Sequence, residues 1–226
     1  MKARDCRARV VRVTQLAPAI LAAELRMEDP PSFEFDAGQW VSVPFGPKNV
    51  RAYTIASTPA ERDTITLCAD VAPGGLGSRW FRSLVPDQVV EFKGPLGGFT
   101  FDFADTRRPV FVAEEIGIVP IRSILMSLRE RADTRPAMLL YQARDRESLV
   151  YDAGFTALAE RGAGFVYHPL VTPDAGVLVA AVAHHVTSTD GVVAYVAGGE
   201  QTIKRVREVL VSRGMDRKAV KWERFW

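Results

Sequence analysis

Over residues 8–93 short alternations of apolar and polar side chains are separated by turn residues. The runs 8–13, 23–27, 39–43, 51–56, 64–69 and 89–93 are rich in Val, Ile, Leu and aromatic residues. Their period of about two is that of a strand with one buried face. Pro30-Pro31, Gly38, Pro44, Gly46-Pro47, Pro59 and Pro86-Asp87 break the chain between them. Six closely spaced strands with such punctuation predict a small antiparallel barrel. Near residues 102–108 the pattern changes. Residues 110–113 are continuously apolar, as in a strand buried on both faces. Helix-period segments at 119–131, 151–160, 177–184 and 200–212 then alternate with strand-like runs at 138–141, 165–167, 192–196 and from Val220. This β–α alternation predicts a parallel sheet with right-handed crossovers. Two domains are expected, 1–105 and 106–226, with the boundary near Asp105.

Composition narrows the class. A chain of 226 residues with 47% apolar content has material for one large core or two small ones. No apolar run approaches the ~20 residues of a membrane-spanning helix. Residues 1–6 carry charges with no apolar segment after them, so no secretion signal is expected. Cys6 and Cys68 lack metal-ligand spacing and are expected as small apolar fillers in a reducing, cytoplasmic compartment. An iron–sulfur cluster would need about four thiolates, so it is excluded on this chain. His168, His184 and His185 show no metal-binding or catalytic spacing. The net charge is only +2, yet the C-terminal end is basic. After residue 200, Lys204, Arg205, Arg207, Arg213, Arg217, Lys218, Lys221 and Arg224 outnumber Glu208, Asp216 and Glu223. These charges are expected as a solvated helix face, with an acidic partner or a phosphate as the other reading. Nucleic-acid binding is not expected, because no basic stripe is interleaved with stacking aromatics.

The candidate chemistry begins at Arg51-Ala52-Tyr53-Thr54-Ile55-Ala56-Ser57-Thr58-Pro59. On a strand Arg51, Tyr53 and Ile55 share a face. An arginine beside a tyrosine suits a ligand with an anion and a flat ring. An ordinary half-buried strand with a solvated arginine fits the same residues. The second motif, Gly74-Gly75-Leu76-Gly77-Ser78-Arg79, runs into an apolar, helix-compatible segment. Such a turn lets backbone N–H groups approach an anion, with Ser78 as a cap or added donor.

Together these motifs resemble the ferredoxin–NADP reductase superfamily of flavoproteins. In that family an R-x-Y-[ST] strand lies against the flavin and a G-x-x-S turn lies on its pyrophosphate. Gly38-Gln39-Trp40-Val41 and Gly94-Pro95-Leu96-Gly97 are also similar to family segments. The resemblance implies a six-stranded antiparallel Greek-key FAD barrel followed by a Rossmann-like parallel α/β domain. It implies FAD held by Arg51, Tyr53, Thr54, Ser57, Gly75, Leu76, Gly77 and Ser78, with Tyr53 and Thr54 beside the reactive ring. The ending Glu223-Arg224-Phe225-Trp226 is similar to a bacterial branch with an E-x-[YF]-W terminus, which implies stacking of Phe225 or Trp226 on FAD.

The second half departs from the family pattern. Where relatives read A-T-G-T-G-I-A-P, this chain has Ala113-Glu114-Glu115-Ile116-Gly117-Ile118-Val119-Pro120. The side chains of Glu114 and Glu115 stand where a small hydroxyl and a glycine would admit a phosphate, and their charge opposes an anion at a helix start. The late C-G-x-P motif reads Ala197-Gly198-Gly199-Glu200, without its thiol. Gly117, Pro120, Arg144 and Gly198 are retained and would hold NADP or NAD. Two readings follow. One is an NAD(P)H-dependent reductase passing electrons through FAD to a ferredoxin, a flavodoxin or a similar acceptor. The other is a flavin-bearing electron-transfer subunit or binding module that no longer uses NAD(P)H directly and exchanges electrons with a partner protein alone.

Overall fold

The computed structural model describes residues 2–162 and 164–226. Its first sheet contains β1 (Arg4–Ala17), β2 (Ile20–Asp29), β3 (Trp40–Pro44), β4 (Val50–Thr54), β5 (Thr64–Asp70) and β6 (Val89–Leu96), with the short helix α1 (Leu76–Arg82) between the last two. The strand order is β4-β3-β6-β1-β2-β5, and neighbours run antiparallel. An isolated bridge between Ile55 and Leu67 joins the residue after β4 to β5, so the two outer strands close on each other. Inward-facing Val10, Leu25, Val41, Ile55, Ile65, Leu67 and Phe92 form the core together with Phe33 and Phe81. Strand β1 extends well beyond the expected 8–13. It pairs with β2 along one edge and β6 along the other, and register shifts let it bend through the barrel wall.

The second sheet is parallel, in the order β11-β10-β7-β8-β9. Its elements are β7 (Arg108–Glu114), α2 (Ile118–Glu130), β8 (Ala137–Ala143), α3 (Asp152–Glu160), β9 (Phe165–Val171), α4 (Ala175–His185), β10 (Val192–Gly198), α5 (Glu200–Ser212) and β11 (Val220–Arg224). All seven residues of β10 are buried, as are all of β7 after Arg108. Their continuous apolar sequence reflects cover on both faces. Two 3-10 turns, Glu115–Gly117 and Arg217–Ala219, were not legible in the periodicity. The chain divides into two compact units, one of residues 1–101 with 122–131, the other of residues 102–121 with 132–226. Helix α2 is thus shared, its first turn grouping with the sheet that precedes it. Among the described residues no helix is long and apolar enough to cross a membrane.

Candidate functional site

The strand β4 and the glycine turn meet as a built unit. The Tyr53 hydroxyl donates to Gly77 O at 3.1 Å. A Cβ placed on Gly77 would lie 2.8 Å from Tyr53 Oη and 3.1 Å from Arg51 Cγ. Residues 51 and 53 therefore share a face, as their alternation predicts, and converge on a glycine that has no room for a side chain. Arg51 is exposed, and its Nη1 donates to Val50 O at 2.7 Å. Tyr53 is buried, its ring centroid 5.2 Å from that of Trp80 and 5.3 Å from that of Phe81. Burial pushes the Tyr53 phenol up to about 12, while the Arg51 guanidinium pulls it down. It therefore stays protonated and able to donate at neutral pH.

Helix α1 starts at Leu76, and the cap position is Gly75 in extended backbone with no side-chain cap; Ser78, expected as a cap, is buried two residues inside the helix. The ladder opens with Arg79 N–H to Gly75 O at 3.0 Å. The N–H groups of Leu76, Gly77 and Ser78 precede it, and the first turn carries no acidic residue. An exposed guanidinium, these amides and a side-chain-free Gly77 fit the pyrophosphate of a dinucleotide flavin.

Thr54 is buried at the end of β4 opposite Trp40. Ser57 is buried as well, and its Oγ accepts from Thr66 N–H at 3.0 Å. Helix α2 fixes this stretch. Ser123 Oγ donates to Ser57 O at 2.6 Å, Arg122 Nη1 donates to Ala56 O, and Thr58 Oγ1 donates to Glu130 Oε1 at 2.8 Å. Sequence reasoning missed these supports. Their signal was the polar residues Arg122, Ser123 and Glu130 on a helix with a broad apolar face.

In the α/β unit the substituted loop has partners the sequence did not suggest. Glu114 ends β7 and is buried, and its Oε2 accepts from Gly199 N–H at 2.8 Å. Its carboxylate thus caps α5, whose first turn begins after Gly199, rather than the helix that follows it in sequence. The reason is topological, since β10 lies beside β7. Glu115, at φ 50°, accepts from Arg144 N–H at 2.9 Å and lies 3.4 Å from Arg144 Nε. Burial raises the Glu115 carboxyl above its usual range despite the opposing pull of Arg144.

Gly117 is closely packed, because a Cβ there would lie 2.3 Å from Ala197 O. Pro120 is buried in the first turn of α2, where a proline sacrifices no helical hydrogen bond. Gly198 lies under Glu114, whose Oε2 would be 2.8 Å from a Cβ at that position. Phe225 N–H donates to Gly198 O at 3.0 Å, and Glu200 N–H to Trp226 O at 3.3 Å. The indole of Trp226 covers Gly199, with Nε1 2.6 Å from where a Cβ would stand. Glu223 pairs in register with Ala197, the position without its thiol. Its Oε2 is closed off from water with no hydrogen-bond partner, and burial pushes the carboxyl up to about 7.

His168 comes together with the adjacent His184 and His185. The rings of His168 and His185 stack at 3.8 Å, and that of His184 lies edge-on to His185 at 4.7 Å. Burial lowers the His168 pKa, with the other two histidines adding to the effect. No His, Cys, Asp or Glu group among the described residues is arranged to hold a metal.

Comparison with known proteins agrees with this geometry. Residues 7–101 match the oxidoreductase FAD-binding domain, and residues 106–226 match the siderophore-interacting protein family. Over 162 residues, 70% of this chain, the sequence is 32% identical to ferredoxin–NADP reductase B of Sorangium cellulosum. Over 73% of the chain it is 30% identical to DmpP, the reductase component of a Pseudomonas phenol 2-monooxygenase. These matches cover 66% and 47% of the two relatives, so the chain spans less than two thirds of their lengths. The fold superposes on the Amycolatopsis cytochrome P450 reductase GcoB with a TM-score of 0.87 at 26% identity, over 99% of this chain and 70% of that one. The match of residues 7–101 to the FAD-binding domain, the match of residues 106–226 and the likeness to ferredoxin–NADP reductase B place the chain in the ferredoxin–NADP reductase superfamily of FAD-binding oxidoreductases.

Proposed function

We propose that this chain is an FAD-dependent reductase that takes electrons from NAD(P)H and passes them to a ferredoxin, a flavodoxin or an oxygenase component. The observation that carries the reading is the convergence of Arg51 and Tyr53 on Gly77 at an acid-free helix start. Residues 1–105 form the FAD domain and residues 106–226 the nucleotide domain, and the protein works in the cytoplasm. The chain's similarity to ferredoxin–NADP reductase B and DmpP supports this donor and acceptor class. FAD when bound supplies the hydride-accepting ring and the capacity to release electrons singly. Arg51 neutralises the pyrophosphate, and the N–H groups of Leu76, Gly77 and Ser78 hold it. Tyr53 braces the turn and flanks the cofactor; Thr54 and Ser57 line the strand end on the flavin side. Gly117, Pro120, Arg144 and Gly198 shape the nicotinamide nucleotide site. Truncation after Arg224 tests the aromatic terminus. It is expected to loosen FAD, whereas unchanged affinity would leave Phe225 and Trp226 as packing for Gly199.

The carboxylates Glu114 and Glu115 favour a second reading, an electron-transfer subunit that takes electrons from a partner protein. Anaerobic rapid mixing of the FAD-loaded protein separates the two. Bleaching of the yellow colour by NADH or NADPH within seconds supports the reductase, and bleaching by dithionite alone supports the subunit. Protein that stays colourless after addition of FAD would end both. The match of the second domain to siderophore-interacting proteins makes a ferric chelate the acceptor to compare with ferredoxin in the same assay.

A further inference from the structure

The parallel sheet grows in two directions. From β7 the chain adds β8 and β9 on one side, then returns to add β10 and β11 on the other. Ligands of open parallel sheets lie beyond the carboxyl ends of the strands at such a reversal. Glu114 and Glu115 leave β7 there, and Arg144 is the first residue after the adjacent strand β8. In dinucleotide-binding sheets an acidic side chain near this place accepts from the ribose 2′-hydroxyl, while an arginine accommodates a 2′-phosphate.

Taken alone, Arg144 points to the phosphorylated ribose. Its pairing changes that. Glu115 accepts from the Arg144 backbone N–H and approaches its Nε at 3.4 Å. The Glu115 side chain is 15% exposed, against 51% for Arg144, so the carboxylate is the better-enclosed partner. The loop holds Glu115 at φ 50°, a conformation uncommon for residues other than glycine. That cost is retained where a side chain must be held in one direction.

We propose that Glu115 is a specificity-determining residue that tunes the site toward a dinucleotide with a free 2′-hydroxyl and against one with a 2′-phosphate. The phosphate dianion must share Arg144 with a carboxylate already paired to it, and Glu114, the preceding residue, adds like charge to the loop. A hydroxyl meets no such repulsion and can donate to Glu115. The inference rests on the reading of a pyridine dinucleotide as electron donor.

Adenosine fragments isolate the effect from flavin chemistry. Calorimetric titration of the FAD-loaded protein with 5′-AMP and with 2′,5′-ADP gives an affinity ratio that reports the 2′-phosphate directly. Glu115→Gln is expected to raise the preference for 2′,5′-ADP about tenfold, the scale of one charge-assisted hydrogen bond gained. Arg144→Ala in the same background should erase the gain. Stopped-flow flavin reduction should show the parallel shift from NADH toward NADPH. Glu115→Ala provides the same comparison if Glu115→Gln does not fold. Binding of both fragments with an unchanged ratio in the folded variant overturns the proposal and leaves the donor intact. Absence of binding by either fragment, with flavin bleached by dithionite alone, overturns the donor and the proposal with it.

Discussion

Two glycine turns open helices in this molecule, and they are furnished in opposite ways. At Gly75–Gly77 the first turn of α1 carries no acid, an exposed Arg51 stands alongside, and three amides precede the ladder. At Gly198–Gly199 the first amide of the turn is bonded to Glu114, and the Trp226 indole lies over the glycine. A helix start is an anion site only while its amides are unspent. The barrel turn carries no carboxylate of the chain's own, whereas the α5 turn has taken its anion from within. Ligand capacity follows from which side chain reaches the helix start, and the presence of glycines does not decide it.

The same substitution beside each turn should break this comparison most visibly. Gly117→Ala drives a Cβ to 2.3 Å from a backbone carbonyl, Ala197 O, which has no freedom to rotate away. Its unfolding free energy is expected to fall by more than about 3 kcal/mol. Gly77→Ala meets only side-chain atoms, the Tyr53 hydroxyl and the Arg51 stem, so its stability should fall by less, about 1–2 kcal/mol, while FAD retention suffers. Denaturant melts of the two apoproteins give both numbers, and equal losses would remove the distinction.

Next in size is Glu223. A native carboxyl raised from 4.5 to about 7 stays neutral in the fold over a range where the unfolded chain has ionised. Stability is therefore full below about pH 4.5, falls as pH rises, and levels off above about pH 7, a loss of about 3 kcal/mol. Glu223→Gln should flatten this dependence and melt higher than the parent at pH 8 but not at pH 4.5. Parallel curves for parent and variant would show that Glu223 is solvated.

Arg51→Ala should weaken FAD binding about 10- to 100-fold, the effect of losing a hydrogen bond to a charged group. The ratio of flavin to protein absorbance after dialysis measures it. Normal flavin content would remove Arg51 from the cofactor site. Glu114→Gln is the smallest, costing about 1 kcal/mol as the carboxylate at the start of α5 loses its charge. An unchanged melting temperature would show that this cap contributes little.

Much of the architecture was legible along the chain. Alternation gave all six barrel strands, and the continuous apolar runs gave the parallel strands, because burial on one face or two leaves different periods. The bounds shifted where pairing extended an element, as in β1, or where a loop tightened into the turn Glu115–Gly117. The convergence of Arg51 and Tyr53 was legible because they sit two apart on one strand, and a strand fixes their common face. The polar supports from α2 were not, since Ser123 reaches Ser57 across 66 positions of sequence.

Local order along the chain thus determined the strands, the helices, the glycine turns and the pairing of an arginine with a tyrosine. Tertiary structure alone decided what Glu114 and Glu115 do. Their sequence places them before α2, yet strand order brings β10 beside β7 and delivers one carboxylate to Gly199, while the other reaches Arg144 beyond β8. Charges act through distance in space, and only the folded sheet sets those distances.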